Sequence, residues 1–122
     1  MSERDFVTLD DVRAARERIA PHVRVTPVVR WQGDVWLKLE QLQMAGSFKS
    51  RGACNRLFAA DAVLLAHGVV TASGGNHGLG VAYAAPRRAV PATIYLPARA
   101  PQSTERRLGE MGARVERHGR DW

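Results

Sequence analysis

The chain has 122 residues, 45% of them hydrophobic and 25% charged, which is the size and composition of one small globular domain. It contains no apolar run near the roughly 20 residues of a membrane-spanning helix, and its charged N-terminus lacks the apolar core of a signal peptide. With a single cysteine, Cys54, these features predict a cytoplasmic protein with no membrane partner.

The formal net charge of +6 raises the question of nucleic-acid binding. The arginines are scattered through every segment, at most two are adjacent (Arg87-Arg88), and acidic residues are interleaved with them. A nucleic-acid-binding domain usually gathers its cations on one face. We therefore expect a solvated, arginine-rich surface and no nucleic-acid partner. A basic nucleic-acid module is retained as the weakest alternative.

Local signals predict the first elements of the chain. A helix is predicted over 8–20, where Thr8 as N-cap and Asp11 three residues later fit a capping box, and a proline follows. The chain around Thr26-Pro27 is expected to be extended, because the residue before a proline is pushed away from helical geometry. Residues 34–40 alternate apolar and polar side chains, which predicts a short strand.

A second helix is predicted over 48–60, with Ser47 as its N-cap. Its inward-facing candidates are apolar: Phe48, Ala53, Leu57 and Phe58. The remaining elements alternate: a buried strand at 69–72, a helix at 76–85 ended by Pro86, a strand at 91–97, a helix ending at Gly112, and a strand beginning near 113. This alternation predicts an α/β protein with a parallel sheet. Three strands with one face poorly covered indicate a truncated domain.

The segment "GSFKSRG" contains Lys49, one of two lysines in a chain with sixteen arginines. At the start of the predicted helix, the positive helix end and the nearby Arg51 disfavour a protonated amine. A neutral, partly desolvated lysine is a nucleophile that can form a Schiff base with a carbonyl group, which a guanidinium cannot do. The alternative interpretation is an ordinary surface lysine near a helix start.

The segment "TASGGNHGLG" joins the strand at 69–72 to the following helix. Glycine-rich turns of this kind bring backbone N–H groups close to an anion at the helix N-terminus. The glycine spacing is the reverse of the dinucleotide fingerprint, so the predicted ligand is a carboxylate or phosphate. Ser73, Asn76 and His77 offer side-chain hydrogen bonds to it. The alternative interpretation is a tight turn with Asn76 as N-cap.

Together, "LKLEQLQMAGSFKSRGACNRL", "GVVTASGGNHGLGVAYAA", "PATIYLP" and "LGEMGARVERHG" resemble the fold-type II pyridoxal-phosphate enzymes. The resemblance runs from about Thr26 to Gly119 and is greatest to the threonine/serine dehydratase branch, because Ser50 follows the lysine and His77 follows the asparagine. It implies a parallel-sheet fold like that of the tryptophan synthase β chain. Residues 1–62 would be the N-terminal part of the large domain, and residues 63–122 an incomplete small α/β domain.

The resemblance also implies roles for individual residues. Lys49 would form the Schiff base with pyridoxal 5'-phosphate and transfer the proton at the substrate Cα. Phe48 would flank the cofactor, and Asn76 would bond to the 3-hydroxyl of its ring. The substrate carboxylate would be held by the turn that follows the buried strand: Ser73, Gly74, Gly75, Asn76 and His77. No metal site is predicted, since His22, His67 and His118 are isolated along the chain.

The activity implied by this resemblance is that of a lyase that converts L-threonine or L-serine into a 2-oxo acid and ammonia. Gly74 stands where serine racemases usually carry a second serine, which makes racemisation the less favoured alternative. A hydroxyaspartate dehydratase is another alternative. The family's phosphate-binding loop lies further towards the C-terminus, so we expect an inactive N-terminal fragment of an enzyme that is homo-oligomeric at full length. A non-catalytic remnant, acting as an interaction module, is the competing interpretation.

Overall fold

The computed structural model describes residues 6–120, within which helices and strands alternate. The helices are α1 (Leu9–Ile19), α2 (Lys49–Ala59), α3 (Ala62–Leu65), α4 (Asn76–Arg87) and α5 (Gln102–Glu110). The strands are β1 (Val28–Gln32), β2 (Val35–Lys38), β3 (Val69–Ala72), β4 (Ala92–Leu96) and β5 (Arg114–Arg117). Two short 3₁₀ turns, Glu40–Leu42 and Met44–Gly46, connect β2 to α2.

The N-terminal helix α1 is capped as its sequence predicts. The Thr8 side chain accepts a hydrogen bond from the Asp11 backbone N–H (3.2 Å), and the Thr8 backbone N–H donates to the Asp11 carboxylate (2.8 Å). These bonds with Thr8 lower the pKa of Asp11. The last residue of α1, Ile19, is buried in the same core as residues of α2 and α4.

The strands β1 and β2 form an antiparallel hairpin that turns at Gly33, where φ is +51°. Only β2 is predicted as a strand from the sequence, because β1 has no regular alternation of apolar and polar residues. Every residue of both strands is exposed in the described part of the chain, including Trp31 and Trp36. An isolated two-stranded hairpin is marginally stable, so this element gains little from its own pairing.

The second sheet confirms the predicted parallel α/β arrangement, with strand order β3-β4-β5. The central strand β4 alternates between buried and half-buried residues, and Ile94 and Leu96 are fully buried. The helix α4 is buried over most of its length and contributes to both hydrophobic clusters. Its first turn is therefore held rigidly at the carboxyl end of β3. Within residues 6–120, no helix has the length and apolarity to cross a membrane.

Two helix ends test the sequence-based predictions. Pro86 does not stop α4, which continues to Arg87, because the last turn is closed by the Arg88 N–H, which donates to the Ala84 carbonyl (3.2 Å). The helix ends instead where Ala89 adopts a left-handed backbone (φ +57°). The predicted end of α5 at Gly112 (φ +89°) is confirmed, and the Ala113 N–H returns to the Leu108 carbonyl (3.1 Å) in a Schellman arrangement. The four-residue helix α3 is not predicted.

Candidate active site

Lys49 is the first residue of α2, and its side chain is exposed. The helix begins one residue later than predicted and its N-cap is Phe48, so the prediction of Ser47 as N-cap is wrong. The Ser47 hydroxyl accepts a bond from the Lys49 backbone N–H (3.4 Å). The next residue, Ser50, is completely buried, and its hydroxyl donates to the Met44 carbonyl. The backbone of Lys49 is thus fixed by both neighbouring serines while its amine remains accessible.

Phe48 does not face the core, and the inward orientation predicted for it is wrong. The ring is 57% exposed, because the residue precedes the first turn of α2. It lies beside the reactive candidate instead, with the Lys49 Nζ 5.1 Å from the ring centroid. The predicted inward residues Ala53 and Leu57 are buried, and Phe58 is half-buried against the core.

The glycine-rich turn connects the carboxyl end of β3 to α4. Ser73 donates its backbone N–H to the Tyr95 carbonyl (3.2 Å), and its hydroxyl accepts a bond from the Gly75 N–H (3.3 Å). Gly75 is the N-cap, so the interpretation of Asn76 as N-cap is wrong, and Asn76 is the first helical residue. A Cβ on Gly78 would lie 2.4 Å from the Ser73 carbonyl oxygen. Close packing therefore requires glycine there.

The start of α4 has the properties of an anion-binding site. The residues Gly74 to His77 are exposed. The first N–H groups of a helix have no carbonyl partner within it, and they carry the positive end of the helix dipole. The Asn76 amide and the His77 imidazole add side-chain donors at the same place. This arrangement suits the carboxylate or phosphate group of a small ligand.

The two helix starts are brought together by the packing of α2 on α4. A Cβ on Gly80 would lie 2.9 Å from the Lys49 carbonyl oxygen, so glycine is what permits this close approach. Lys49 and His77 both line a cleft of about 420 Å³ between these helices and β3. The other predicted site residues do not line this cleft: Phe48 is the residue before Lys49 in the sequence, and Ser73, Gly74, Gly75 and Asn76 form the turn before His77.

One prediction about the charge around Lys49 is wrong. Arg51 is not a free cation beside the amine, because its guanidinium binds both oxygens of the Glu40 carboxylate (2.9 and 2.7 Å). Mainly through Arg51, the pKa of Glu40 is lowered to about 2, and the Thr26 hydroxyl and the Lys38 ammonium add to this effect. No motif signals this pairing, since Glu40 and Arg51 are separated by an irregular loop.

The fold, the lysine at the start of α2 and the glycine-rich turn before α4 agree with the family that the chain matches. The chain matches the family described as "Pyridoxal-phosphate dependent enzyme" over residues 19–122, and it belongs to that family. Its structural neighbours are fold-type II members, which confirms the fold class inferred from the motifs. The cofactor of this family is pyridoxal phosphate.

The relatives include dehydratases and racemases. A catabolic L-threonine dehydratase of Staphylococcus aureus is 36% identical over 96% of this chain and 36% of its own length. A serine racemase of Dictyostelium discoideum is 39% identical over 89% of this chain and 36% of its own. The structure of maize serine racemase matches with a TM-score of 0.87 at 38% identity, covering 93% of this chain and 36% of that one. The chain thus spans about a third of the length of these relatives.

Residues 6–120 provide groups for one end of pyridoxal phosphate, the end that carries the aldehyde and the ring hydroxyl. The exposed Lys49 amine beside the cleft suits its aldehyde, and the Asn76 amide suits a ring hydroxyl. The turn before α4 offers one place for an anion. Within residues 6–120 there is no second glycine-rich turn at a strand-to-helix junction, so a phosphate and a substrate carboxylate are not both provided for.

Proposed function

We propose that this chain carries the lysine and the substrate-carboxylate site of a pyridoxal-phosphate-dependent amino-acid lyase. The substrate is a β-hydroxy amino acid, L-threonine or L-serine, and the products are a 2-oxo acid and ammonia. One observation carries the proposal: α2 packs closely on α4, and Lys49 and His77, the last residue of the turn 73–77, line the same cleft. The identity to a threonine dehydratase supports it as well.

Each residue has a distinct task in this reaction. When bound, the cofactor supplies an electron sink for the negative charge that develops when the substrate Cα–H bond breaks. The Lys49 amine would hold the cofactor before substrate binds and, once the substrate amine has replaced it, would be free to take the Cα proton, because it is the one lysine on the cleft wall. The turn 73–77 binds the substrate carboxylate through helix N–H groups and the Ser73 hydroxyl, which orients the Cα–H bond towards Lys49.

Racemisation is the second candidate function, and the relatives support it equally, since they include serine racemases. The turn itself favours the lyase. A Cβ on Gly74 would meet only the Leu96 side chain, at an ordinary 3.7 Å, so packing does not exclude a serine there. With glycine at position 74, the turn 73–77 carries one hydroxyl group, that of Ser73. A racemase also needs a proton donor on the face of the substrate opposite the lysine.

We further propose that residues 1–62 and 63–122 belong to two domains of a longer enzyme that is homo-oligomeric. Because the chain spans 36% of the length of its relatives, it is expected to bind cofactor weakly and to show no turnover alone. The competing proposal is a non-catalytic remnant.

A chimera tests the function. The chain would replace the matching N-terminal third of the Staphylococcus aureus dehydratase, and 2-oxobutanoate from L-threonine and D-serine from L-serine would be measured. We expect the 2-oxo acid and no D-serine, with loss of 2-oxo acid formation in the matched Lys49→Arg chimera. A folded, cofactor-containing chimera that yields neither product would support the remnant, and one that yields mainly D-serine would support the racemase.

A further inference from the structure

Four polar residues are linked by hydrogen bonds at the start of α2, and we call them the Glu40 cluster: Thr26, Lys38, Glu40 and Arg51. The Glu40 carboxylate accepts two bonds from Arg51 and one from the Thr26 hydroxyl (2.5 Å). The Lys38 ammonium donates to the Thr26 hydroxyl (2.7 Å) and lies 3.6 Å from Glu40. Thr26 is only 4% exposed, whereas the charged side chains of the cluster remain partly exposed to solvent.

The cluster ties two separate segments, residues 24–26 and 38–40, to the first turn of α2. Glu40 follows β2, Thr26 precedes β1, and Arg51 also donates to the Arg24 carbonyl (3.2 Å). Charge-assisted bonds of the bidentate kind are stronger and more directional than an exposed ion pair. Arg51 therefore cannot rotate about the helix axis without breaking several bonds at once.

Helical geometry transmits this constraint to Lys49. Successive side chains on an α-helix are separated by about 100°, so residues two apart point in nearly opposite directions. Arg51 faces the Glu40 cluster, and Lys49, two residues earlier, faces the cleft that it shares with His77. On the other side, the close approach of Gly80 to the Lys49 backbone prevents the turn from moving nearer to α4.

We propose that Glu40 and Arg51 are positioning residues that fix the rotation of the first turn of α2 and so direct the Lys49 amine into the cleft. The proposal rests on the proposed function, in which Lys49 is the reacting lysine. Neither residue touches the reacting atoms. Their loss would reduce the rate at which Lys49 reacts with an aldehyde, without removing the amine or the helix.

The experiment uses the 122-residue chain and pyridoxal phosphate as the aldehyde probe. Borohydride fixes the adduct, and peptide mass spectrometry measures the labelling rate of Lys49 and of Lys38, the only lysines in the sequence. The reference for the labelling ratio is the N-terminal amine, because Lys38 belongs to the Glu40 cluster and would itself change in the variants. In Glu40→Gln, which keeps the shape and removes the charge, the ratio of Lys49 to N-terminal labelling should fall at least about threefold. Arg51→Gln should give the same loss.

The matched control is Glu105→Gln, which breaks the ion pair between Glu105 and Arg117 (2.7 Å) at a distant part of the surface. It should leave the labelling ratio unchanged. Far-UV circular dichroism on every variant reports the helices. The inference is overturned if Glu40→Gln and Arg51→Gln keep the wild-type ratio, if Glu105→Gln lowers it equally, or if the first two variants simply lose their helical signal. Wild-type chain that labels both lysines equally would instead refute the proposed role of Lys49.

Discussion

The close approach of α2 and α4 makes Gly80 a sensitive position for both folding and function. In Gly80→Ala, the new Cβ would lie 2.9 Å from the Lys49 carbonyl oxygen, 3.0 Å from its carbonyl carbon and 3.3 Å from its Cβ. Two of these atoms belong to the backbone and cannot rotate away. The substitution must therefore push α2 and α4 apart at the point where the candidate active site is assembled.

Two opposing effects decide the sign of the change in stability. Alanine is favoured over glycine inside a helix by about 1 kcal/mol. Overpacking of a closely packed contact costs about 1–3 kcal/mol, and at backbone atoms the upper part of this range applies. We expect Gly80→Ala to lower the free energy of unfolding by about 1–2 kcal/mol. For a chain of this size that corresponds to about 3–8 °C in the melting temperature.

The matched control is Gly52→Ala in α2, where a Cβ would meet no atom within 4 Å. That substitution should raise the free energy of unfolding by about 0.5–1 kcal/mol, since only helix propensity changes. Urea titrations followed by circular dichroism would measure both variants. If Gly80→Ala is stabilised as much as Gly52→Ala, the two helices do not approach each other as described, and the assembly of the site is wrong.

Two further predictions concern the Glu40 cluster and the end of α4. The pKa of Glu40 is lowered to about 2, so its ion pair stabilises the fold fully above the ordinary glutamate pKa and is lost as the pH falls through about 2. Between pH 5 and pH 2, wild type should therefore lose about 1–2 kcal/mol more than Glu40→Gln in urea titrations, and equal losses would contradict the pairing. Ala89 is exposed with φ +57°, so Ala89→Gly should raise the free energy of unfolding by about 0.5–1 kcal/mol. A lower melting temperature in this variant would argue against a left-handed residue at the helix end.

The features that follow from local chemistry are predictable from the sequence. The capping box of Thr8 and Asp11, the left-handed Gly112 and the order of strands and helices after residue 69 depend on residues that are neighbours in the chain. Lys49 and the turn before α4 are also visible as motifs. Their assembly into one site is implied by the family resemblance, and the tight packing of Gly80 on Lys49 supports it.

The features that depend on long-range contacts are not predictable in this way. Pairing of Glu40 with Arg51 requires the loop between them to fold back, so the guanidinium that the sequence places two residues from Lys49 is paired with a carboxylate. The apolar side chain of Phe48 predicts an inward residue, yet Phe48 precedes the first turn of α2 and is exposed. The helix α4 continues past Pro86 and ends before Ala89, whose backbone is left-handed. Alanine has no preference for that conformation, so the sequence does not predict this helix end.

The central claim is that Lys49 is the amine that reacts with pyridoxal phosphate. The most direct measurement is borohydride reduction of the chain with pyridoxal phosphate, followed by peptide mapping of wild type and Lys49→Arg. We predict that the label lies on Lys49 in wild type and is lost from the cleft in the variant, while Lys38, bound to Thr26, is labelled weakly in both. Label found mainly on Lys38, or equal labelling of wild type and Lys49→Arg, would contradict the account.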